Sequence, residues 1–275
     1  MNKTKHLYTR KNCVIVKNNK LAIKIIPYDP NSVEYAIHKE LHHPNIVKLY
    51  NHKLIDWKEY LYMEYIDGMT LENYILLQTS FILNLEYINI FDQILKAVAY
   101  LHKMKINHND LKLENIMMTK DKTIKLLDFG SAVIHQNFDG FEFKKVGSLL
   151  YMPPEMRAKS QYYYGKNDIW ALGIILYECI TGVYPFATDD GKVNFNKSID
   201  YTGINEEIKT LIECLLMVNP NMRPLIWVVV NMFDDIKLIS SIHEYTEEEY
   251  AEIQETNIIE LFDTLKISNN DLIDD

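Results

Sequence analysis

Valine and isoleucine residues cluster with polar residues along the first part of the chain in the manner of short β-strands. Residues 13–26 form two such runs on either side of Asn18 and Asn19, and this arrangement predicts a β-hairpin. Prolines interrupt the pattern directly afterwards. Residues 32–41 then predict a helix that begins with Ser32 as its N-cap.

The pattern changes from strands to helices near residues 64–68. Before that point, two apolar stretches predict further strands at 46–49 and 60–66. After it, apolar residues recur at a spacing of three to four, which predicts helices at 71–76 and 85–102. The chain is therefore expected to have an α+β fold, in which a small β-rich part precedes a larger helical part.

The end of the chain differs in composition from the rest. Beyond Asp234 it is rich in glutamate, and its last residues read Asn-Asn-Asp-Leu-Ile-Asp-Asp. We therefore divide the sequence into a first domain at 1–66, a second at 67–233 and an acidic C-terminal extension at 234–275. Two alternatives fit the extension: an amphipathic helix that docks on the domain, or a solvated helix with a frayed tail.

Composition and charge restrict the classes of function. The 275 residues are 48% hydrophobic and 24% charged, and the net charge of −9 argues against nucleic acid or an anionic membrane as the main partner. The three cysteines lack metal-binding spacing, and an odd number is a poor disulfide framework, so we expect reduced thiols. No apolar run suggests a signal sequence or a membrane span. We expect an intracellular monomer of the cytoplasm or nucleus.

Segment 108–115, which reads His-Asn-Asp-Leu-Lys-Leu-Glu-Asn, contains the most informative polar residues. Asp110 can orient a hydroxyl group, Lys112 follows two residues later, and Asn115 offers an amide oxygen to a metal ion. A second carboxylate, Asp128, follows in an Asp-Phe-Gly run. Phosphoryl transfer requires positioning and neutralisation of negative charge, and these residue types at this spacing meet both demands.

Together these segments closely resemble the catalytic and metal-binding loops of eukaryotic protein kinases, and the resemblance covers about residues 13–233. It implies a bilobal fold, ATP and Mg²⁺ as cofactors, and phosphorylation of protein hydroxyl groups. It also implies that Asp110 orients the acceptor and that Lys112 neutralises the transferring group. Asn115 and Asp128 are then expected to hold Mg²⁺.

The resemblance extends to the nucleotide site. Leu-Ala-Ile-Lys at 21–24 resembles the strand that bears the family's phosphate-binding lysine, here Lys24. Glu34 stands where a helix supplies the ion-pair partner of that lysine. Met-Glu-Tyr-Ile at 63–66 resembles the hinge, whose backbone bonds adenine. The resemblance implies a nucleotide site formed by Val14, Ala22, Lys24, Met63, Glu64, Ile66 and Met117.

Residues farther along resemble the part of a protein kinase that binds a protein substrate. Gly-Ser-Leu-Leu-Tyr-Met-Pro-Pro-Glu at 147–155 resembles the end of the activation loop, and Ser148 there favours serine or threonine over tyrosine as the acceptor. Asp168 is implied to anchor the catalytic-loop backbone, and Arg223 to pair with Glu155. These features disfavour a small-molecule kinase.

Two glutamates bear on substrate choice. Glu114 and Glu178 match positions at which basic-directed kinases hold an arginine upstream of the acceptor. The alternative is that both residues serve local structure. The expected partner is a protein with a Ser or Thr acceptor and, on the first interpretation, with basic residues before it.

The chain departs from the family in its phosphate loop. No glycine precedes Gly68, although a glycine-rich loop is expected at 7–13. Glycines there let backbone N–H groups approach phosphates closely. Asn12 tolerates left-handed geometry better than most residues, and the charges of Arg10 and Lys11 are candidates to replace the lost donors, with a solvated turn as the alternative.

Two further departures concern regulation and packing. Asn109 replaces an arginine that in relatives receives a phosphate on the activation loop, and residues 132–146 contain no serine, threonine or tyrosine. We therefore expect activity without loop phosphorylation. His38 occupies a position that is usually apolar, and a packed, neutral histidine is expected there.

These observations support two main hypotheses. The leading one is an active serine/threonine protein kinase, because Lys24, Glu34, Asp110, Lys112, Asn115 and Asp128 are all present. The alternative, favoured by the missing glycines, is a pseudokinase that acts as a nucleotide-binding or scaffolding module. Within the family, Asp-Phe-Gly-Ser-Ala at 128–132 and the residues from Pro153 to Trp170 are most similar to the Pim and PAS-domain kinases of the calcium/calmodulin-dependent group.

Overall fold

The computed structural model describes residues 5–10, 13–18, 20–77, 85–135, 148–157, 164–188, 192–195 and 197–242. By its packing the chain divides into two compact units, Met1–Met232 and Phe233–Asp275. The second unit is described at 233–242, which is the end of a helix. Within the described residues, no helix is both long enough and apolar enough to cross a membrane.

Five antiparallel strands form the N-terminal sheet, in the order β1-β2-β3-β5-β4. They are β1 (Lys5–Arg10), β2 (Cys13–Asn18), β3 (Leu21–Pro27), β4 (Leu49–Ile55) and β5 (Lys58–Glu64). The predicted hairpin at 13–26 is confirmed as the pair β2–β3. In the centre of the sheet, Lys24 of β3 lies opposite Leu61 of β5.

The strand predicted at 46–49 is wrong in position. β4 begins at Leu49, whereas Ile46 forms an isolated parallel bridge with Leu126. The backbone here is occupied elsewhere, because Leu126 N–H donates to the Asn45 carbonyl at 2.8 Å and Val47 N–H donates to the Leu126 carbonyl at 3.0 Å. The predicted strand at 60–66 is present, displaced by two residues, as β5.

The helix predicted at 32–41 is shorter than expected. α1 spans Glu34–His38, and its N-cap is Val33 rather than Ser32. The Ser32 hydroxyl accepts from Glu34 N–H at 3.4 Å, which is long for a hydrogen bond. At the other end Leu41 N–H donates to His38 three residues earlier, so the last turn tightens, and Pro44 disfavours helical geometry before it.

The C-terminal part is mainly helical, and this confirms the α+β class. Its helices are α2 (Leu71–Leu76), α3 (Leu85–Lys103), α4 (Pro154–Arg157), α5 (Lys166–Thr181), α6 (Glu206–Leu215) and α7 (Ile226–Ile242). The prediction for α2 is confirmed residue for residue, and that for α3 to within one residue. Thr70 caps α2, because its hydroxyl accepts from Asn73 N–H at 3.2 Å.

Two small sheets lie next to the polar segments between α3 and α4, and one of their strands, β6, comes from before α2. One sheet has the order β6-β8-β9 and the other pairs β10 with β7. The strands are β6 (Gly68–Thr70), β7 (Ile106–Asn107), β8 (Ile116–Thr119), β9 (Ile124–Leu126) and β10 (Val133–Ile134). Segment 108–115 therefore lies between β7 and β8, and Asp128 lies between β9 and β10.

α5 is the central helix of this part. Thirteen of its 16 residues are buried, so its sequence is apolar around most of its circumference. Gly173 allows α6 to approach it closely, since a Cβ atom at this position would lie 2.8 Å from the side chain of Leu216 and 2.9 Å from that of Leu215. α5 is consequently fixed on several sides, and the polar residues at its start have a rigid support.

Candidate active site

A buried ion pair joins the sheet to α1. The Lys24 ammonium lies 2.6 Å from Glu34 Oε1 and 2.8 Å from Asp128 Oδ1. Burial alone would lower the pKa of Lys24, but the two carboxylates outweigh it and raise that pKa above its usual value. The structure therefore contains the pairing implied for Lys24 and Glu34, and it adds Asp128 as a second partner.

The backbone of the catalytic loop is held by one carboxylate from α5. Asp168 accepts hydrogen bonds from the N–H groups of His108 and Asn109, both at 2.9 Å, and from His102 Nε2 at 2.8 Å. Burial raises the pKa of Asp168, but its bond to His102 and the nearby histidines outweigh burial and lower it. The anchoring implied for Asp168 is present. Local sequence periodicity gave no signal for His102, which is 66 residues away.

Asp110 stands at the centre of a hydrogen-bonded group. Lys112 Nζ donates to Asp110 Oδ2 at 2.8 Å and to Ser148 Oγ at 2.6 Å. Ser148 N–H donates to Asp110 Oδ1 at 2.8 Å, and Asn115 Nδ2 donates to Asp110 Oδ2 at 2.9 Å. Both carboxylate oxygens are thus oriented, and the arrangement can accept or direct the proton of an incoming hydroxyl group.

Asp128 and Asn115 suit a hard cation. The side chain of Asp128 is 42% exposed, so its carboxylate oxygens are accessible to a ligand. Asn115 donates a hydrogen bond through its amide nitrogen, and its side-chain carbonyl oxygen therefore remains for a ligand. Burial raises the pKa of Asp128, but the charge and hydrogen bond of Lys24 outweigh it and lower the pKa, so the carboxylate stays ionised. Oxygen donors of this kind fit Mg²⁺ bound together with phosphate.

The residues implied for the nucleotide site lie on neighbouring strands. Ala22 on β3 is opposite Met63 on β5, and Val14 lies on the adjacent strand β2. Met117, which is half-buried, lies on β8 in the other part of the chain. The structure therefore places these side chains on both sides of the hinge.

Other parts of the chain hold two N–H groups of the hinge backbone. Glu64 N–H donates to the Lys48 carbonyl at 2.9 Å, and Tyr65 N–H donates to the Lys20 carbonyl at 3.2 Å. Lys125 also pairs with the Glu64 carboxylate at 2.9 Å. Among the described residues, the N–H and carbonyl groups of Ile66 have no backbone partner, so they remain for a ligand such as adenine.

The prediction for the phosphate loop falls partly outside the described residues. Lys11 and Asn12 are not described, and for Arg10 the structure gives the backbone, as the last residue of β1. The roles proposed for these three residues stay predictions.

A second buried ion pair joins α4 and α5 to the segment between α6 and α7. The Arg223 guanidinium contacts Glu155 through both nitrogens, at 2.7 and 2.8 Å, and its side chain is 0% exposed. It also donates to the carbonyls of Met217 and Lys166 and lies 4.9 Å from the ring of Trp170. The pairing implied by the sequence is therefore present, with more partners than expected.

Three acidic side chains approach one another beside the catalytic loop. Tyr151 Oη donates to Glu178 Oε2 at 2.7 Å, and Glu114 has a buried Oε2 atom without a hydrogen-bond partner among the described residues. Burial raises the pKa of Glu178 to about 8, and the charges of Glu114 and Glu72 contribute. Sequence reasoning missed Glu72, whose position at the start of α2 resembles an ordinary first-turn carboxylate.

Comparisons with known proteins agree with this geometry. The family described as "Protein kinase domain" matches residues 8–232. A Saccharomyces cerevisiae protein classed among the serine/threonine-protein kinases, YPL150W, is 38% identical over 203 residues, which is 71% of this chain and 22% of that protein.

Two Schizosaccharomyces pombe proteins are also similar. The mitosis inducer protein kinase cdr1 is 34% identical over 210 residues, covering 74% of this chain and 35% of cdr1. The serine/threonine-protein kinase ppk25 is 32% identical over 226 residues, covering 76% of this chain and 52% of ppk25. The chain thus spans between about a fifth and a half of the length of these relatives.

Proposed function

We propose, from the premise that the chain belongs to the protein kinase family, that it transfers a phosphoryl group from ATP to serine or threonine hydroxyls of proteins. The observation that supports this proposal best is the Asp110 group. Lys112, Ser148 and Asn115 all bond its carboxylate, and a module without catalytic work has no physical need for that convergence.

Each residue has a distinct task in the proposed reaction. Asp110 orients the acceptor hydroxyl and takes its proton as the phosphoryl group arrives. Lys112 and Lys24 provide positive charge to the phosphoryl oxygens, where negative charge spreads in the transition state. Asp128 and Asn115 would hold Mg²⁺, which would supply further neutralisation of phosphate charge.

Substitution of the two carboxylates tests the proposal. Asp110→Asn keeps the shape of the side chain but cannot accept the proton, and we expect kcat to fall by about 10²-fold or more. Asp128→Ala should abolish transfer because nucleotide and metal lose a ligand. The assay is transfer of labelled phosphate from ATP with Mg²⁺ to a degenerate peptide library.

Asp121→Asn, on an exposed turn between β8 and β9, is the matched control and should keep full activity. If the unmodified protein shows no turnover above the Asp110→Asn background, the proposed activity is wrong. The pseudokinase alternative, a nucleotide-binding or scaffolding module, would then replace it.

We also propose that the substrate has a basic residue upstream of its acceptor. The carboxyl groups of Glu114, Glu178 and Glu72 lie in one region. Glu114 Oε2 is buried without a hydrogen-bond partner among the described residues, and an arginine of the substrate would supply one. A planar guanidinium presents five N–H donors in a fixed fork that matches the oxygens of carboxylates, which makes it a better partner here than an ammonium.

The proposed substrate preference predicts that KM for an arginine-containing peptide depends on pH. Because the pKa of Glu178 is about 8, the carboxyl is mostly protonated at pH 7, and a bound guanidinium favours its ionised form. KM for an arginine-containing peptide should therefore fall about 10-fold between pH 7 and pH 9. Glu178→Gln should raise KM at pH 9 and remove the dependence of KM on pH.

The control is a peptide in which alanine replaces the arginine. Selection of acidic peptides over basic ones would rule out the preference for a basic residue.

The remaining features are proposals at the level of the whole protein. We propose an intracellular monomer, in the cytoplasm or nucleus. Cys13, Cys179 and Cys214 form no disulfide, which supports a reducing environment. Within the family we propose a place near the Pim and PAS-domain kinases, on the residues at 128–132 and from Pro153 to Trp170. Sedimentation of the purified chain tests the monomer.

A further inference from the structure

The residue before the catalytic aspartate has an unusual backbone conformation. Asn109 has φ 62°, in the left-handed region that few side chains adopt, and asparagine tolerates it better than most residues. Its N–H group donates to Asp168 Oδ1 at 2.9 Å, which helps to hold this conformation. Its side chain contacts residues outside the catalytic loop.

The side-chain amide of Asn109 connects three segments. Its Nδ2 donates to the carbonyl of Ser131, 22 residues away, at 3.2 Å. Its Oδ1 accepts a long hydrogen bond, at 3.4 Å, from Nδ2 of Asn167, the second residue of α5. One amide therefore links the loop that holds Asp110, the segment that directly follows Gly130, and the buried helix α5.

A small cavity lies behind this part of the catalytic loop. Asn109, Asp110, Ser148 and Asn167 are among the residues that line it. Asn109 and the catalytic aspartate therefore line the same small space. Removal of the Asn109 amide would take away the two side-chain hydrogen bonds that tie this part of the loop to Ser131 and Asn167.

We propose that Asn109 is a positioning residue, whose amide fixes the catalytic loop against Ser131 and Asn167 and so keeps Asp110 and Asp128 aligned without a phosphate group. This inference rests on the proposed kinase activity. Residues 132–146 contain no serine, threonine or tyrosine and therefore no residue that could be phosphorylated. The hydrogen bond from the Asn109 amide to a backbone carbonyl restrains the loop without phosphorylation. Small misplacements of a catalytic group reduce rates strongly, which gives the restraint its effect on turnover.

Two substitutions separate the amide from the backbone conformation. Asn109→Asp keeps the size and the left-handed preference but cannot donate to the Ser131 carbonyl, and Asn109→Gly keeps the backbone conformation without any side chain. Both should lower kcat by about 10-fold or more, with little change in KM for ATP. Rates are normalised to the fraction of sites that bind ADP, so that partial unfolding is not mistaken for slower catalysis. Asn221→Asp, at an exposed position of the 3₁₀ turn Pro220–Met222, is the matched control.

Hydrogen–deuterium exchange gives a readout that does not depend on catalysis. Backbone exchange in the described residues 128–135 should rise in Asn109→Asp and Asn109→Gly and stay unchanged in Asn221→Asp. Unchanged exchange and normalised kcat in both Asn109 variants would overturn the proposal. If the unmodified protein shows no kinase activity, the proposed function is wrong. The hydrogen–deuterium exchange of the Asn109 variants then still tests whether the amide restrains the catalytic loop.

Phosphatase treatment completes the test. The unmodified protein should keep its kcat after treatment, with mass spectrometry as proof that no phosphate remains. Loss of activity on treatment would contradict a restraint that needs no phosphate and would overturn the proposal.

Discussion

At the scale of single residues, a histidine replaces an apolar side chain where α1 meets the Asp-Phe-Gly segment. The ring of His38 is 1% exposed and lies 4.9 Å from that of Phe129. Its Nε2–H donates to the Val47 carbonyl at 2.7 Å, while its Nδ1 is buried without a partner among the described residues. A proton on Nδ1 would place an unsatisfied charged donor in this site, so the ring is neutral.

His38 should therefore make the protein sensitive to acid. Burial lowers the pKa of His38 below 6.5, and the nearby charge of Lys24 contributes, although the Val47 bond and Asp128 oppose the shift. The unfolded state then binds the proton more readily, so the stabilising contribution is complete above pH 6.5 and is lost as the pH falls towards the lowered pKa.

The comparison with His38→Leu isolates this effect. The free energy of unfolding, measured by urea denaturation from pH 8 to pH 5, should fall less steeply in the variant than in the unmodified protein. His43 and His135 also have pKa values lowered by burial, so the difference between the two proteins is the quantity to measure. If the free energy of unfolding falls with pH at the same rate in both proteins, His38 has the same pKa in the folded protein as in the unfolded chain.

At the scale of elements, Arg223 connects α4 to α5 and to the residues before α7. Its guanidinium pairs with Glu155 of α4, bonds the carbonyl of Lys166 at the start of α5, and lies over Trp170. Since the pair is buried, removal of one partner leaves the other charge without compensation. The packing of these elements therefore depends on one side chain.

Arg223→Met should reduce the free energy of unfolding by about 3–5 kcal/mol. Arg223→Lys should be intermediate, because an ammonium keeps the charge but cannot bond both carboxylate oxygens. The double variant Glu155→Gln with Arg223→Met should be less destabilised than the sum of the single variants, because no isolated charge remains. Additive losses would show that the two residues stabilise the protein independently.

At the scale of the whole molecule, the elements that could be predicted from the sequence are those that depend on residues close together along the chain. The α+β class, the β2–β3 hairpin and the helices α2 and α3 follow from local periodicity, and the structure contains them. The start of β4 and the early end of α1 could not be predicted in the same way. Between the two lie residues 45–47, whose backbone pairs with Leu126, a residue that is distant along the chain.

The same distinction applies to the site. Lys24, Glu34, Asp110 and Asp128 are found from the sequence because their spacing is that of a known motif. His102, Glu72 and Asn167 are not, because their partners are distant along the chain: His102 is 66 residues from Asp168, and Asn167 is 58 residues from Asn109. Such contacts arise from packing, and no local pattern encodes them.

The rigidity of α5 has a consequence for the length of substrate that fits. Asp168 near its start holds the loop of Asp110, and Glu178 near its end lies in the acidic region proposed to bind arginine. Ten residues of α-helix span about 15 Å, and a buried helix does not stretch. An extended peptide advances roughly 3.3 Å per residue, so a substrate that binds as proposed would have to match this fixed length. α5 would thereby limit how many residues separate the basic side chain from the acceptor in such a substrate.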